Sequence, residues 1–225
     1  ISLPLFIYMG YILSESGIAN DLYRMFHVWM GGLPGGLALG TVGLMVAVSA
    51  MNGLSVAGLA IGASIAMPEM LKRGYDKRMV SGIIQAGSTI GLMMPPSVVL
   101  VLYGMIARQP VSTLWLAGIG PALLLALMLT IYIIIRCKLN PALAPALSKE
   151  ELASISPAEK RRLLWAGLLP LVIIFSVTGS FLSGMASLVE SSAVGALVAT
   201  LAAWAKRRLT KKVMKVALLQ TLSVS

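Results

Sequence analysis

Two short runs place oxygen chemistry inside otherwise apolar stretches: Asn52-Gly53-Leu54-Ser55 and Gly87-Ser88-Thr89-Ile90-Gly91. Sodium takes hard oxygen ligands, and main-chain carbonyls with Ser, Thr or Asn side chains supply them without a buried charge. The candidate cation ligands are therefore Asn52, Gly53, Ser55, Ser88, Thr89 and Gly91. Pro95, Pro96 and Ser97 follow directly; the prolines lack N–H donors and disfavour helix at Met94, so carbonyls are freed there, where a substrate would sit. A tightly packed helix crossing has the same composition, so both readings stand at this point. No Walker-type phosphate loop, zinc-spaced His/Cys group or nucleophile elbow occurs, which argues against an enzyme and against a cofactor other than a coupling ion. The single Cys137 excludes an internal disulfide and a multi-cysteine metal site.

These runs need a membrane to position them. The chain has 225 residues, 58% hydrophobic and 12% charged, a balance foreign to a water-soluble domain. None of residues 25–68, 79–107, 109–135, 163–189 and 191–205 carries a formal charge, and about 20 such residues cross a bilayer as helix. An all-α polytopic membrane protein follows. The net charge of +10 reflects basic clusters at span ends and not a nucleic-acid surface. The opening ISLPLFIYMGYIL has neither an initiator Met nor a basic start, and predicts a chain that begins inside a helix of a longer protein.

Along the chain, residues 1–14 read as the end of a membrane helix. Residues 15–30 change period, with Ile18, Leu22, Met25, Phe26 and Trp29 on one face and Asn20, Asp21, Arg24 and His27 elsewhere, as in a helix lying along the membrane. GGLPGG at 31–36 breaks it. Pieces 37–51 and 54–68 then flank Asn52-Gly53, each reaching about 22 Å, short of the roughly 30 Å hydrocarbon thickness. A re-entrant hairpin over 37–68, with Ser49, Asn52, Gly53 and Ser55 near its tip, explains this; so does an ordinary helical pair with an Asn-Gly turn at the far surface. Residues 79–107 form a discontinuous helix, or a plainly kinked one. A span at 113–135, a polar loop at 139–162 with an amphipathic SKEELASISPAEKRR, spans at 163–182 and 185–205, and a loop at 206–225 starting a further helix complete the order. One alternating path then puts every Lys and Arg except Arg108 on one side, the cytoplasm. Glu190 lies at the outer end of a span, where an acid within the membrane would be functional and one that reaches water at the headgroups has a structural or interface role; the second reading is preferred.

The run MPEMLKRGYDKRMVSGIIQAGSTIGLMMPPSVVLVLYGMIARQPVSTLWLAGIGPALLL at 67–125 resembles the large membrane subunit of tripartite ATP-independent periplasmic (TRAP) transporters. KRGYD at 72–76, the Gly-rich approach to Pro95-Pro96-Ser97, Leu102-Tyr103-Gly104 and Leu116-Ala117-Gly118-Ile119 carry the likeness, with PLFIYMG at 4–10, SGIANDL at 16–22 and LPGGLA at 33–38. Val189-Glu190-Ser191-Ser192-Ala193-Val194 resembles the family's Thr-Glu-Ala-Ala motif. The resemblance implies an elevator-type carrier of the ion transporter superfamily kind, in the bacterial inner membrane. It further implies sodium-driven import of an organic acid, such as a dicarboxylate or a sialic-acid-like carboxylate. Its implied partners are a periplasmic solute-binding protein and a small membrane subunit, together with the lipid bilayer. Residues 15–36 become the arm and its break, 37–138 half of a transport domain, and 163–205 two scaffold helices.

The family's Ser-Gly-Ser-Ser tip is replaced by Asn52-Gly53-Leu54-Ser55, a family Thr by Gly58, and the family's Gly-Pro before the double proline by Gly91-Leu92. The family's second hairpin, with its own Pro-Pro motif, has no counterpart in residues 1–225, which implies that this stretch does not transport alone. A divalent-anion sodium symporter without a binding protein is the nearest alternative. The permease of an ATP-driven importer, with 139–162 as coupling helix, and a non-transporting scaffold are the others.

Overall fold

The computed structural model describes residues 2–33, 35–52, 55–140, 143–145 and 156–224, and within them the side chains of all but 19, 51, 52, 55–57, 157 and 224. Every regular element among the described residues is helical: α1 Ser2–Glu15, α2 Ile18–Met30, α3 Gly36–Asn52, α4 Ser55–Ile61, α5 Met67–Lys72, α6 Lys77–Gly91, α7 Val98–Ala107, α8 Val111–Leu139, α9 Pro157–Leu182, α10 Leu188–Ala205 and α11 Lys211–Val224. A π-helical turn, Gly62–Ala66, joins α4 to α5.

Local chemistry sets the boundaries. Asp76 accepts a hydrogen bond from the Met79 amide and opens α6; Ser97 does the same for Leu100 at α7, and Ser156 for Glu159 at α9. At α10 the cap is reciprocal. The Glu190 amide donates to the Ser187 hydroxyl at 3.3 Å, and the Ser187 amide donates to Glu190 Oε2 at 2.7 Å. Glu190 is thus a capping residue on an exposed helix end, in line with the structural reading of the sequence.

Two apolar cores result. The first surrounds α3 and α6, with Leu22, Tyr23 and Met25 of α2, Met70 of α5, and Ile133 and Cys137 of α8. The second surrounds α1, with Ile173, Ile174 and Val177 of α9, Ala199 and Ala203 of α10, Ala217 of α11 and Trp115 of α8. Helix α2 belongs to both, because Ile18 enters the second core and Leu22 the first. Of the apolar face expected to lie along the membrane, Ile18, Leu22 and Met25 are buried in the chain while Trp29 is 56% exposed, and Tyr23 and Val28 are buried besides.

Three described helices are long and apolar enough to cross a membrane: Val111–Leu139, Ala158–Leu182 and Leu188–Ala205. On α8 a narrow stripe of Trp115, Ala122, Ile133 and Cys137 is buried, while Leu116, Leu123, Leu127, Ile131 and Ile135 stand exposed. A helix apolar on every face is stable with its outer side in lipid or in further protein.

Two expectations about local structure need correcting. The stretch AEKRR is not part of a separate amphipathic helix: Ser156 caps it directly into α9, while 148–155 lie outside the described residues. Nor does Gly87-Ser88-Thr89-Ile90-Gly91 break its helix, since α6 stays regular through Gly91 and the interruption spans 92–97. Gly87 and Gly91 are packing residues. A Cβ on Gly87 would lie 2.8 Å from Met45 Cβ, and one on Gly91 would lie 2.9 Å from the Val46 carbonyl oxygen.

Candidate cation and substrate site

The site is built where α3, α4 and α6 meet. Ser49, in the last turn of α3, and Ser88, in the last turn of α6, are fully buried, with their hydroxyl oxygens 3.1 Å apart. Gly58 of α4 faces both: a Cβ there would collide with Ser49 Oγ and lie 2.6 Å from Ser88 Oγ. Gly91 closes the other side, its missing side chain leaving room for Ser49 Cβ. Four small residues thus bring three backbones together around two hydroxyls. A buried hydroxyl is costly unless bonded, and each of these two lies within hydrogen-bonding distance of the other.

The interruption after Gly91 has defined bonding. Leu92 and Met93 amides donate to the Thr89 and Ile90 carbonyls at 3.1 Å each, closing α6 with tight turns. Pro95, Pro96 and Ser97 are buried, and the Pro95–Pro96 peptide is cis. The carbonyl of Ser97 accepts the first bond of α7, from the Val101 amide at 3.2 Å, and also one from Trp115 Nε1 of α8 at 3.4 Å, so the neighbouring helix is tied to the end of the interruption. Trp115 is itself fixed between Phe6 and Phe181, with ring centroids 5.9 and 4.9 Å away.

The sequence-derived ligands are placed unequally. Ser88 and Gly91 come together around Ser49. Thr89 points away, exposed on α6, its hydroxyl donating to the Gln85 carbonyl at 2.9 Å. Asn52 ends α3 and Ser55 opens α4, one turn beyond Ser49; their side chains, and Gly53 altogether, lie outside the described residues. Ser49 was visible in the sequence only as a small polar residue near the predicted tip. Its partner lies 39 residues away, and no local pattern announces that pairing.

Beside the interruption lies a cavity of about 750 Å³, lined by Met94 and Pro95, by Val46 and Ala50 of α3, by Ile119 of α8 and by Phe175 of α9. Its described lining carries no charged side chain. Such walls suit the apolar part of a molecule. The cavity lies where both apolar cores and α8 approach one another.

The whole of residues 1–225 matches the family model described as "Tripartite ATP-independent periplasmic transporter, DctM component". The chain belongs to the DctM family of TRAP transporter large permease subunits. It is 35% identical over 199 residues to the C4-dicarboxylate TRAP transporter large permease protein DctM of Pseudomonas aeruginosa, covering 88% of this chain and 44% of that protein. The sialic acid TRAP transporter permease protein SiaT of Haemophilus influenzae is 30% identical, over 87% of this chain and 31% of its own length. The 2,3-diketo-L-gulonate TRAP transporter large permease protein YiaN of Escherichia coli is also 30% identical, over 88% and 45%. The DctM-family chain therefore spans less than half the length of these curated relatives. The family is one of transporter permeases, and the three long apolar helices of this member are those of a multi-pass membrane protein.

Proposed function

We propose that the subunit containing this chain imports an organic acid across the inner membrane, driven by sodium and supplied by a periplasmic binding protein, with a small membrane subunit completing the complex. The buried Ser49–Ser88 hydroxyl pair beside the 92–97 interruption supports this reading best. It places oxygen ligands, and no charge, where a hard cation sheds water. Residues 37–68 act as a re-entrant hairpin whose tip, at Asn52, Gly53 and Ser55, completes the ligand set with carbonyls and side chains. Gly91 brings the end of α6, with its free carbonyls, against Ser49.

The cavity at Pro95 receives the apolar part of the substrate, and the residues that pair its carboxylate come from the hairpin tip or from the remainder of the subunit. The named substrates of the relatives, C4-dicarboxylate, sialic acid and 2,3-diketo-L-gulonate, are all organic acids. An elevator movement of the first core against the second then exposes the site alternately to each side.

The test uses the full-length subunit with its small subunit and binding protein in proteoliposomes. An imposed sodium gradient drives accumulation of an organic acid, and ATP is not required. Ser49→Ala, Ser88→Ala, Asn52→Ala and Ser55→Ala each raise the sodium concentration needed for half-maximal uptake, by about tenfold where a charge-assisted contact is lost. Unchanged sodium dependence in all four would remove the site from the mechanism.

A further inference from the structure

Asp21 of α2 is buried, although the sequence pattern places it among the polar residues of a surface helix. Its Oδ2 accepts from Lys206 Nζ at 2.8 Å and from Arg208 Nη1 at 2.9 Å, and its Oδ1 accepts from Arg208 Nη2 at 3.1 Å. Neither cation stops there. Lys206 Nζ donates to the Ala166 carbonyl of α9 at 3.2 Å, and Arg208 Nη1 donates to the Gly17 carbonyl at 3.0 Å. Gly17 forms the elbow between α1 and α2, in the left-handed region at φ 71°. One carboxylate thereby ties together the elbow, α2, α9 and the turn between α10 and α11.

The position of this cluster matters. On its elbow side, Ile18 packs into the second core; on its other side, Leu22 and Met25 pack into the first. Asp21 sits at the seam where α2 passes from one core to the other. An Arg fork on a carboxylate fixes orientation as well as distance, and a half-buried charge stripped of its partner is strongly unfavourable.

We infer that Asp21 is a positioning residue: with Lys206 and Arg208 it fixes the α1–α2 elbow to the second core, so that displacement between the two cores occurs beyond residue 21. This rests on the transport reading above only in so far as it assigns a use to the displacement. The elbow moves with α9, α10 and α11; α3 and α6 move relative to it.

The experiment places spin labels in a cysteine-free full-length subunit, reconstituted with its partners, at the exposed positions Asn20 and Lys212, and separately at Gln85 and Lys212. The Asn20–Lys212 distance distribution is expected to be narrow and unchanged by sodium and an organic-acid substrate, whereas the Gln85–Lys212 distribution shifts. D21N broadens the Asn20–Lys212 distribution and lowers maximal uptake at least about fivefold, the lower range of coupling between sites, while the half-saturating substrate concentration stays in place. Asp21→Glu restores both. R208M, which removes the more exposed cation, gives the same broadening and serves where D21N does not accumulate. An Asn20–Lys212 distance that shifts with sodium in the unsubstituted subunit, or stays narrow in D21N and R208M, overturns the inference. A subunit that imports nothing under a sodium gradient overturns the transport reading instead, and the Asn20–Lys212 distances still decide the clamp.

Discussion

Replacing Gly91 with Ala puts the site's packing to a direct test. The added methyl would meet Ser49 Cβ, with the Val46 carbonyl oxygen at 2.9 Å and Ser49 Cα at 3.2 Å. These are backbone or backbone-adjacent atoms and cannot swing aside, so the cost is that of overpacking, about 2–3 kcal/mol. Alanine in place of glycine within a helix returns about 1 kcal/mol, leaving a net loss of about 1–2 kcal/mol. Gly82 is the internal control. It lies on the same helix, is exposed, and has nothing within 4 Å of an added Cβ, so Gly82→Ala collects the helix gain alone. At roughly 2–4 °C per kcal/mol for a chain of this size, Gly91→Ala lowers the unfolding midpoint by about 2–8 °C and Gly82→Ala raises it by about 2–4 °C. Thermal unfolding of the purified protein in detergent, followed by tryptophan fluorescence, reads both. If Gly91→Ala is as stable as Gly82→Ala, the close approach of α3 and α6 at Ser49 is wrong, and the hydroxyl pair falls with it.

Two further substitutions probe the frame around the site. Ser187→Ala removes the hydroxyl half of the α10 cap, leaving the residue's own amide to donate to Glu190, and is expected to cost about 1 kcal/mol in the same unfolding assay, with Ser187→Asp retaining most of it; equal stability of all three would show the hydroxyl to be idle. The Tyr75 hydroxyl is buried with no hydrogen-bond partner among the described residues, and burial pushes its pKa from 10.0 up to about 12. The folded chain therefore holds that proton more tightly than the unfolded chain, so its contribution is whole below pH 10 and is lost as pH rises through about 12. Tyr75→Phe should unfold at an unchanged or higher temperature at neutral pH and show a shallower loss over that alkaline window; an identical alkaline profile would contradict the burial.

Much of this organisation is legible in the residues themselves. Pro95-Pro96 announces the interruption because proline removes donors wherever it stands, and the charge-free stretches announce the spans because the bilayer admits few alternatives. Glycine is harder to read. Gly87 and Gly91 look like helix breakers but serve to admit Met45 and Ser49, and only the neighbouring helix distinguishes the two uses. Long-range polar pairs leave no local trace at all: Ser49 with Ser88, and Asp21 with Arg208 at a separation of 187 residues, depend on how helices are assembled. On α2, Leu22 and Met25 are buried and Trp29 of the same face is exposed, since a hydrophobic face records affinity for an apolar medium and does not record whether that medium is protein or lipid.

Residues 143–145 accept hydrogen bonds from two distant turns. The Gly35 amide donates to the Ala144 carbonyl at 3.3 Å, and the Asp76 amide to the Leu143 carbonyl at 3.1 Å. Those amides mark where the chain enters α3 and where it leaves for α6, so one short splint ties the two ends of the α3–α5 segment to each other and to the end of α8. A force on any one of these three ends, the start of α3, the start of α6 or the close of α8, is therefore felt by the other two.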